Sequence, residues 1–367
     1  MKHLSTLLTL LAPFCLAVAH ADLLIGQTAG FTGAVATGVQ ETTTGAKLLI
    51  DAVNARGGVD GQRITLISLD DKFDPKLAAE NTRKLVKEHG VIGLFLSRGT
   101  PHTEAMVPVL DELNVPLIAP STGAMVLHTP VLKNVFNVRT PYQLEAAQAV
   151  RLLKIIGFDR IGVLYTDDSF GMDALAGART GLEQTKIAPV YIGKFERSKP
   201  DFALAAAEIV KAAPNAVMVF GASASVADAA RAIRAAGSSA KLVTLSNNAS
   251  TGFVKALGEH AKGFMVTQVF PGERSSALYA LVSRAAKAAG IAEVSPAMLE
   301  GYAGAAVLIE GLRRAGKNPT GARLQVALEG LRNFDIGGMK LDFSATDHTG
   351  FSFTDLSVIS KDGSFSR

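Results

Sequence analysis

Between residues 91 and 122 the chain reads VIGLFL, SRGTP, HTEAMVPVLDEL and NVPLIAPST, and this stretch limits the fold more than any other. A short apolar run bounded by turn residues suits a strand buried on both faces of a parallel sheet. The loop over residues 97–101 then opens a helix, with Thr100 expected at the N-cap and Pro101 at the first helical position. A second apolar strand, residues 115–119, runs into Pro120, Ser121, Thr122 and Gly123. Two neighbouring strands thus each end in small polar loops rich in hydroxyls and free amides, the first of them carrying an arginine. In open α/β sheets the crevice beyond the carboxyl ends of the strands is where ligands sit. One wall of a ligand cleft is expected here.

The same alternation recurs along the chain. A strand is expected over residues 22–27, a helix over 41–56 stopped by Gly57 and Gly58, and a strand over 63–69 ending in Asp70 and Asp71. Asp74 and Pro75 start the next helix. After an extended run at 135–139, Thr140 and Pro141 cap a helix to 156, and the alternation restarts with a strand at 160–165 and a loop at 166–171. Further strands are expected at 187–195, 216–220, 241–245, 263–269, 338–343 and 354–360, with long helices at 274–289 and 296–315 and a shorter one ending at 331. This is an α/β protein with mainly parallel sheets flanked by helices on both faces. At 367 residues the chain exceeds one average domain, so two lobes are expected. It contains no low-complexity tether and no internal repeat, so short extended crossings must join them.

The first 21 residues read as a cleaved signal peptide. Lys2 and His3 precede an apolar core from Leu7 to Val18, and Ala19-His20-Ala21 fits a small-x-small cleavage site. That core is too short to span a bilayer as a mature helix. Cys15 is the one cysteine, so a mature chain starting near Asp22 needs neither a disulfide nor a reactive thiol. The expected compartment is outside the cytoplasm. The net charge of +4 is spread along the chain without a basic run, which argues against nucleic acid as a partner.

Gly26, Gly30 and Gly33 follow the first strand but lack the G-x-G-x-x-G spacing of a dinucleotide site, and a glycine-rich turn is the simpler reading. Gly221-Ala222-Ser223-Ala224-Ser225 approaches the nucleophile elbow G-x-S-x-G without its last glycine. Ser225 with Asp228 instead reads as a capping box, and His260 and His348 are the histidines a hydrolase would need. No histidine pair has metal-ligand spacing, so no metal and no cofactor are expected. Arg98, in a short loop at a strand's carboxyl end, can clamp a carboxylate through two parallel bonds or lie solvated on the surface.

Taken together, Thr32-Gly33, GAKLLIDAVNARGGVDGQRI from Gly45, Asp70-Asp71 with Asp74-Pro75, NVPLIAPST, FNVRTP, DDSFG, RAIRAAG and VTQVFP resemble the type I periplasmic solute-binding proteins of ABC importers, the leucine/isoleucine/valine-binding family. The resemblance implies two lobes joined by three crossings, closing on one ligand by a hinge motion. The crossings would fall near Arg139, Gln268 and Gly338. A signal peptide at 1–21 would precede one lobe of 22–139 with 269–337 and another of 140–268 with 338–367. It also implies ligand-binding positions at Thr32, Ser97, Gly99, Thr100, Ser121 and Thr122 in the first lobe, beside the Arg98 read from its strand-end loop. In the second it implies Asp168, Phe170, Ala222, Ser223 and Asn247, with Phe170 for stacking. Where the family places a glutamate against an α-ammonium, this chain has Ser246-Asn247-Asn248. The implied ligand is therefore a small polar or carboxylate-bearing solute, an amino acid or an aromatic or organic acid. The partner would be an inner-membrane ABC permease, the protein would act as a monomer, and no residue would be catalytic. A ligand-sensing receptor subunit and a secreted serine hydrolase using Ser223 are the alternative readings.

Overall fold

The computed structural model describes residues 21–366, so the expected signal peptide lies outside the described residues except for Ala21. Strand β1 (Leu23–Ala29), helix α1 (Ala36–Asn54), β2 (Ile64–Asp70), α2 (Pro75–Lys87), β3 (Gly93–Phe95), α3 (Thr100–Leu113), β4 (Leu117–Ile118) and β5 (Val135–Phe136) open the chain. Among the described residues their strands form a parallel sheet in the order β2-β1-β3-β4-β5. Every residue of β3, β4 and β5 is buried, which is what an apolar run between two helical layers requires. Helix α1 ends three residues before Gly57. The Asn54 amide there pairs with the backbone of Ile64 in both directions at 2.9 Å, joining the helix end to β2.

The second half continues with α4 (Tyr142–Ile155), β6 (Ile161–Thr166), α5 (Ser169–Thr185), β7 (Tyr191–Phe195), α6 (Ala203–Ala212), β8 (Ala216–Phe220), α7 (Ser223–Ala235), β9 (Lys241–Thr244), α8 (Thr251–Leu257) and β10 (Met265–Gln268). The chain then returns to the first sheet with α9 (Ala277–Ala288), α10 (Pro296–Ala315), α11 (Gly321–Glu329) and the hairpin β11 (Phe334–Ile336) and β12 (Met339–Leu341). It ends with β13 (Asp355–Ile359) and β14 (Phe365–Ser366) on the second sheet, whose order is β14-β13-β10-β9-β8-β6-β7. The last two strands are antiparallel to their neighbours and the rest are parallel.

Each sheet is covered on both faces. Buried residues of α1, α9, α10 and α11 form one core on the first sheet, and α2 and α3 form another on its opposite face. On the second sheet α4 and α5 cover one face and α6, α7 and α8 the other. Helices α1 and α10 cross at backbone contact, since a Cβ on Gly301 would lie 1.8 Å from the Thr42 carbonyl oxygen. That closeness sets where α10 delivers Glu300.

Several sequence expectations are corrected. Gly99, at φ 95°, is the N-cap of α3, and Thr100 is already helical. Its hydroxyl is taken by Thr122 at 2.7 Å instead of capping the helix. Helix α7 begins at Ser223, so Ser225 and Asp228 lie inside it and form no capping box; Asp228 pairs with Arg231 on the next turn. Pro141, not Thr140, is the N-cap of α4, while the Thr140 hydroxyl donates to the Phe353 carbonyl. The third crossing lies beyond Gly338. Leu341, Phe343 and Phe351 are buried in the first core, so the chain passes to the second sheet between Phe351 and Asp355.

Candidate functional site

Strands β3 and β4 end side by side, and each leaves the sheet through a left-handed residue that is not glycine: Leu96 at φ 52° and Ala119 at φ 52°. Such conformations cost on the order of 1–3 kcal/mol each and persist where the surroundings over-determine them. Here they turn the two following loops toward each other, and Arg98 and Ser121 form a parallel bridge. The Ser121 amide donates to the Ser97 carbonyl at 2.7 Å, while the Ser97 and Thr103 hydroxyls lie 3.0 Å apart. Ser97, Arg98, Thr100, Ser121 and Thr122 are all buried.

The Arg98 guanidinium crosses from the first lobe to the second. Nη1 donates to Ser121 Oγ at 2.8 Å, and Nη2 donates to the backbone carbonyl of Asn247. Both acceptors are neutral, although the residue is only 5% exposed. Burial pushes its pKa down from the ordinary arginine value, with Tyr142 and Glu300 opposing that shift and Arg139 adding to it. A buried guanidinium with neutral partners has room in its charge balance for an anion.

On the opposite wall, Asn247 Nδ2 donates to the Gly221 carbonyl at 3.0 Å. Its Oδ1 is buried with no hydrogen-bond partner among the described residues. The Ser223 hydroxyl donates to Asn248 Oδ1 at 2.9 Å. His348 stacks on Phe136 at 4.1 Å in the first lobe, so it does not serve Ser223, and no hydrogen bond joins a histidine to Ser223 among the described residues. Ala222 faces Ala29, Val35 and Val39 of the first lobe in one apolar cluster.

Three expected positions are placed differently. Phe170 packs in the core of the second lobe, edge-on to Tyr142 at 5.0 Å, because residue 170 lies on the inward face of the first turn of α5. Asp168 caps that helix by accepting from the Gly171 amide at 3.0 Å, and it pairs with Arg197 at 2.5 Å. Thr32 is exposed, and its hydroxyl donates to Asp70 Oδ2 at 2.7 Å. All three side chains are thus engaged with partners inside the protein.

Two inter-lobe contacts escaped the sequence reading. Arg139, in the first crossing, donates to Glu145 Oε1 at 2.8 Å, to Glu300 Oε1 at 3.4 Å and to Ser246 Oγ, with its guanidinium 4.7 Å from the Tyr142 ring centroid. Burial alone would lower its pKa, but Glu300, Tyr142 and Glu145 outweigh it and hold the group well above the ordinary arginine value. A signal existed: Glu145 falls on the face of α4 that carries Tyr142, Ala146, Ala149 and Leu153, and a charge on an apolar stripe demands a partner. The second contact is Glu41 of α1. Its carboxylate accepts from Thr251 N at 3.0 Å, Thr251 Oγ1 at 2.6 Å and Gly252 N at 2.9 Å, at the start of α8 in the other lobe. Nothing in its exposed-face spacing on α1 distinguished it.

Known proteins share this arrangement of two lobes meeting at a seam. The profile of the periplasmic binding protein family matches residues 23–363. A Leu/Ile/Val-binding protein of Rhizobium johnstonii is 26% identical over 356 residues, covering 94% of each chain. A Leu/Ile/Val-binding protein homologue of Brucella melitensis is 24% identical over 333 residues, covering 89% of each. Among solved structures, a substrate-binding periplasmic protein from Ralstonia solanacearum superimposes with a TM-score of 0.85 at 29% identity, over 94% of this chain and 99% of its own.

Proposed function

The chain belongs to the periplasmic binding protein family, and on that premise we propose that it captures a small carboxylate-bearing solute between its lobes and passes it to an inner-membrane ABC permease. The observation that carries this reading is the buried Arg98 guanidinium, bonded only to the neutral acceptors Ser121 Oγ and Asn247 O among the described residues. A ligand carboxylate beside Ser121 would take the charge that these acceptors do not supply, and the Ser121 and Thr122 loop would add hydroxyls and amides to it. Asn247 Oδ1, buried without a partner, would accept a hydrogen bond from a ligand hydroxyl or amide. Both walls come from one chain, so a monomer suffices. Hinge closure follows from lobes joined by short crossings.

The relatives named for leucine, isoleucine and valine make free amino acids the competing ligand class. An α-ammonium would face Asn247 and Ser223, which are neutral, while Asp168 is already held by Arg197. An ammonium buried without a counter-charge is costly, so the site favours a solute lacking one.

The test is calorimetry on wild type and Arg98→Ala with acetate, benzoate and L-leucine as probes. Truncating one partner of a buried charge pair costs about 2–5 kcal/mol, so the variant should bind its carboxylate ligand roughly 30-fold or more weakly. The corresponding neutral amide should bind wild type poorly and lose little further in the variant. Tight binding of L-leucine that survives Arg98→Ala would overturn both the clamp and the preference.

A further inference from the structure

Resting on the reading of Arg98 as the carboxylate contact, we infer that Phe73 is the specificity-determining residue of the cleft and that the solute is a monocarboxylate with an apolar or aromatic body. Phe73 lies in the loop between β2 and α2, where Lys72 and Phe73 have φ of 52° and 60°. Two successive left-handed residues with large side chains are strained, and three aspartates hold them. Asp70 Oδ1 accepts from Lys72 N at 2.9 Å, Asp71 Oδ1 accepts from Phe73 N at 2.9 Å, and the Asp74 amide returns to the Asp71 carbonyl at 2.8 Å. A turn that glycine would make without strain is instead built to present an aromatic ring.

The position of the ring says what for. One face stacks on His102 at 4.2 Å, and the other lies 5.0 Å from the Arg197 guanidinium of the second lobe. Its edge reaches the backbone of the residue after Arg98: a Cβ on Gly99 would lie 3.0 Å from Phe73 Cε2. Phe73 and Phe31 pack against the cluster of Ala29, Val35, Val39 and Ala222, which joins the two lobes. Gly38, one turn along from Val35 on the same helix face, comes within 3.8 Å of Arg98 Nη2 through the position of its missing Cβ. The guanidinium and the apolar cluster are therefore neighbours within one helical turn. A solute with its carboxylate on Arg98 lays the rest of its body along Phe73, Val35 and Val39, and Ala222 closes over it. Arg197 stays with Asp168 and gives up its face of the ring to the solute, so that the lobes close on the solute's body instead of directly on Phe73. Phe170, beneath Tyr142 in the core of the second lobe, has no share in this contact.

The experiment is calorimetry with four probes: benzoate and 4-methylpentanoate as apolar carboxylates, acetate as the bare carboxylate, and glycine betaine as a carboxylate carrying a cation. Wild type should bind benzoate or 4-methylpentanoate at least about 30-fold more tightly than acetate, as burying an apolar body of that size predicts. Phe73→Asn suits the left-handed backbone and removes the apolar face. It should weaken the apolar carboxylates by about tenfold or more and leave acetate unchanged, while Phe73→Tyr restores them. Thermal unfolding of each variant checks the fold, and a Phe73→Leu variant serves if Phe73→Asn does not fold: there 4-methylpentanoate should be kept and benzoate weakened. Apolar carboxylates bound equally by wild type and Phe73→Asn overturn this inference while leaving Arg98 as the carboxylate contact. Acetate as tight as benzoate, or glycine betaine tighter than both, overturns the apolar body. Failure of every carboxylate to bind wild type overturns this inference and the reading of Arg98 together.

Discussion

Arg139 Nη2 lies 2.8 Å from Glu145 Oε1, with the two side chains 1% and 0% exposed. The pair sits where the chain first passes between lobes, and Glu145 Oε2 also accepts from Thr267 Oγ1 at 2.7 Å and from the Ser246 amide at 3.1 Å. Glu300 arrives from α10 of the first lobe, so the cluster joins the crossing to both sides of the hinge.

Removing one member should therefore strand the other. Arg139→Met is expected to destabilise the protein by about 3–5 kcal/mol, the usual cost of leaving a buried charge uncompensated. Adding Glu145→Gln should return part of that loss, because the amide still accepts from Thr267 and Ser246 without a charge. Urea unfolding of the two single variants and the double variant measures the coupling, and strict additivity would argue against a working ion pair.

Glu41 is expected to bias the lobes toward closure. Its carboxylate takes two backbone amides and a hydroxyl from residues 251 and 252 of the other lobe, and hydrogen bonds to a charged group are each worth about 1.5–3 kcal/mol. Glu41→Gln keeps the shape, loses the charge and turns one acceptor into a donor. Affinity should fall by about 5–30-fold, since a ligand that binds the closed form is weakened by the fraction no longer competent. Small-angle scattering of the unliganded variant should give a larger radius of gyration than wild type. An unchanged radius and affinity would show that the contact forms without biasing the equilibrium.

The buried Asp71 predicts a pH dependence. Burial is the largest influence on this carboxyl and raises its pKa to about 6; hydrogen bonds from Phe73 N and Thr28 Oγ1 oppose the shift, and Asp70 and Asp74 add to it. Between the ordinary carboxylate value and about 6, the folded state holds a proton that the unfolded state has released. Stability from this group is thus fully present at low pH and is lost as pH rises through that window. Asp71→Asn should gain about 1–3 kcal/mol over wild type at pH 7–8, with the difference vanishing toward pH 4. Denaturant titrations at pH 4, 5, 6 and 7.5 test the sign, and a variant less stable than wild type at pH 7.5 would contradict it.

What the sequence determined by itself was local in origin. Apolar runs, caps and strand-end loops depend on near neighbours, and they located β3, β4, the loops carrying Ser97, Arg98, Ser121 and Thr122, and the α/β alternation. Asp74 was legible as a cap for the same reason, and its side chain accepts from Lys76 N at 2.8 Å. The facing wall was legible only through the family resemblance, which named Ala222, Ser223 and Asn247; what each of them meets was not. Arg98 meets an Asn247 carbonyl 149 residues away, and Glu300 meets Arg139 across 161. Phe170 turned inward because the rotation of α5 against α4 set its direction, and Asp168 was claimed by Arg197. The last crossing moved past Gly338 because Phe343 and Phe351 found burial in the first core. Periodicity tells a residue which face of its own element it occupies. Only the docking of one lobe on the other decides what that face meets, because the contact energies depend on atoms that no spacing along the chain brings together.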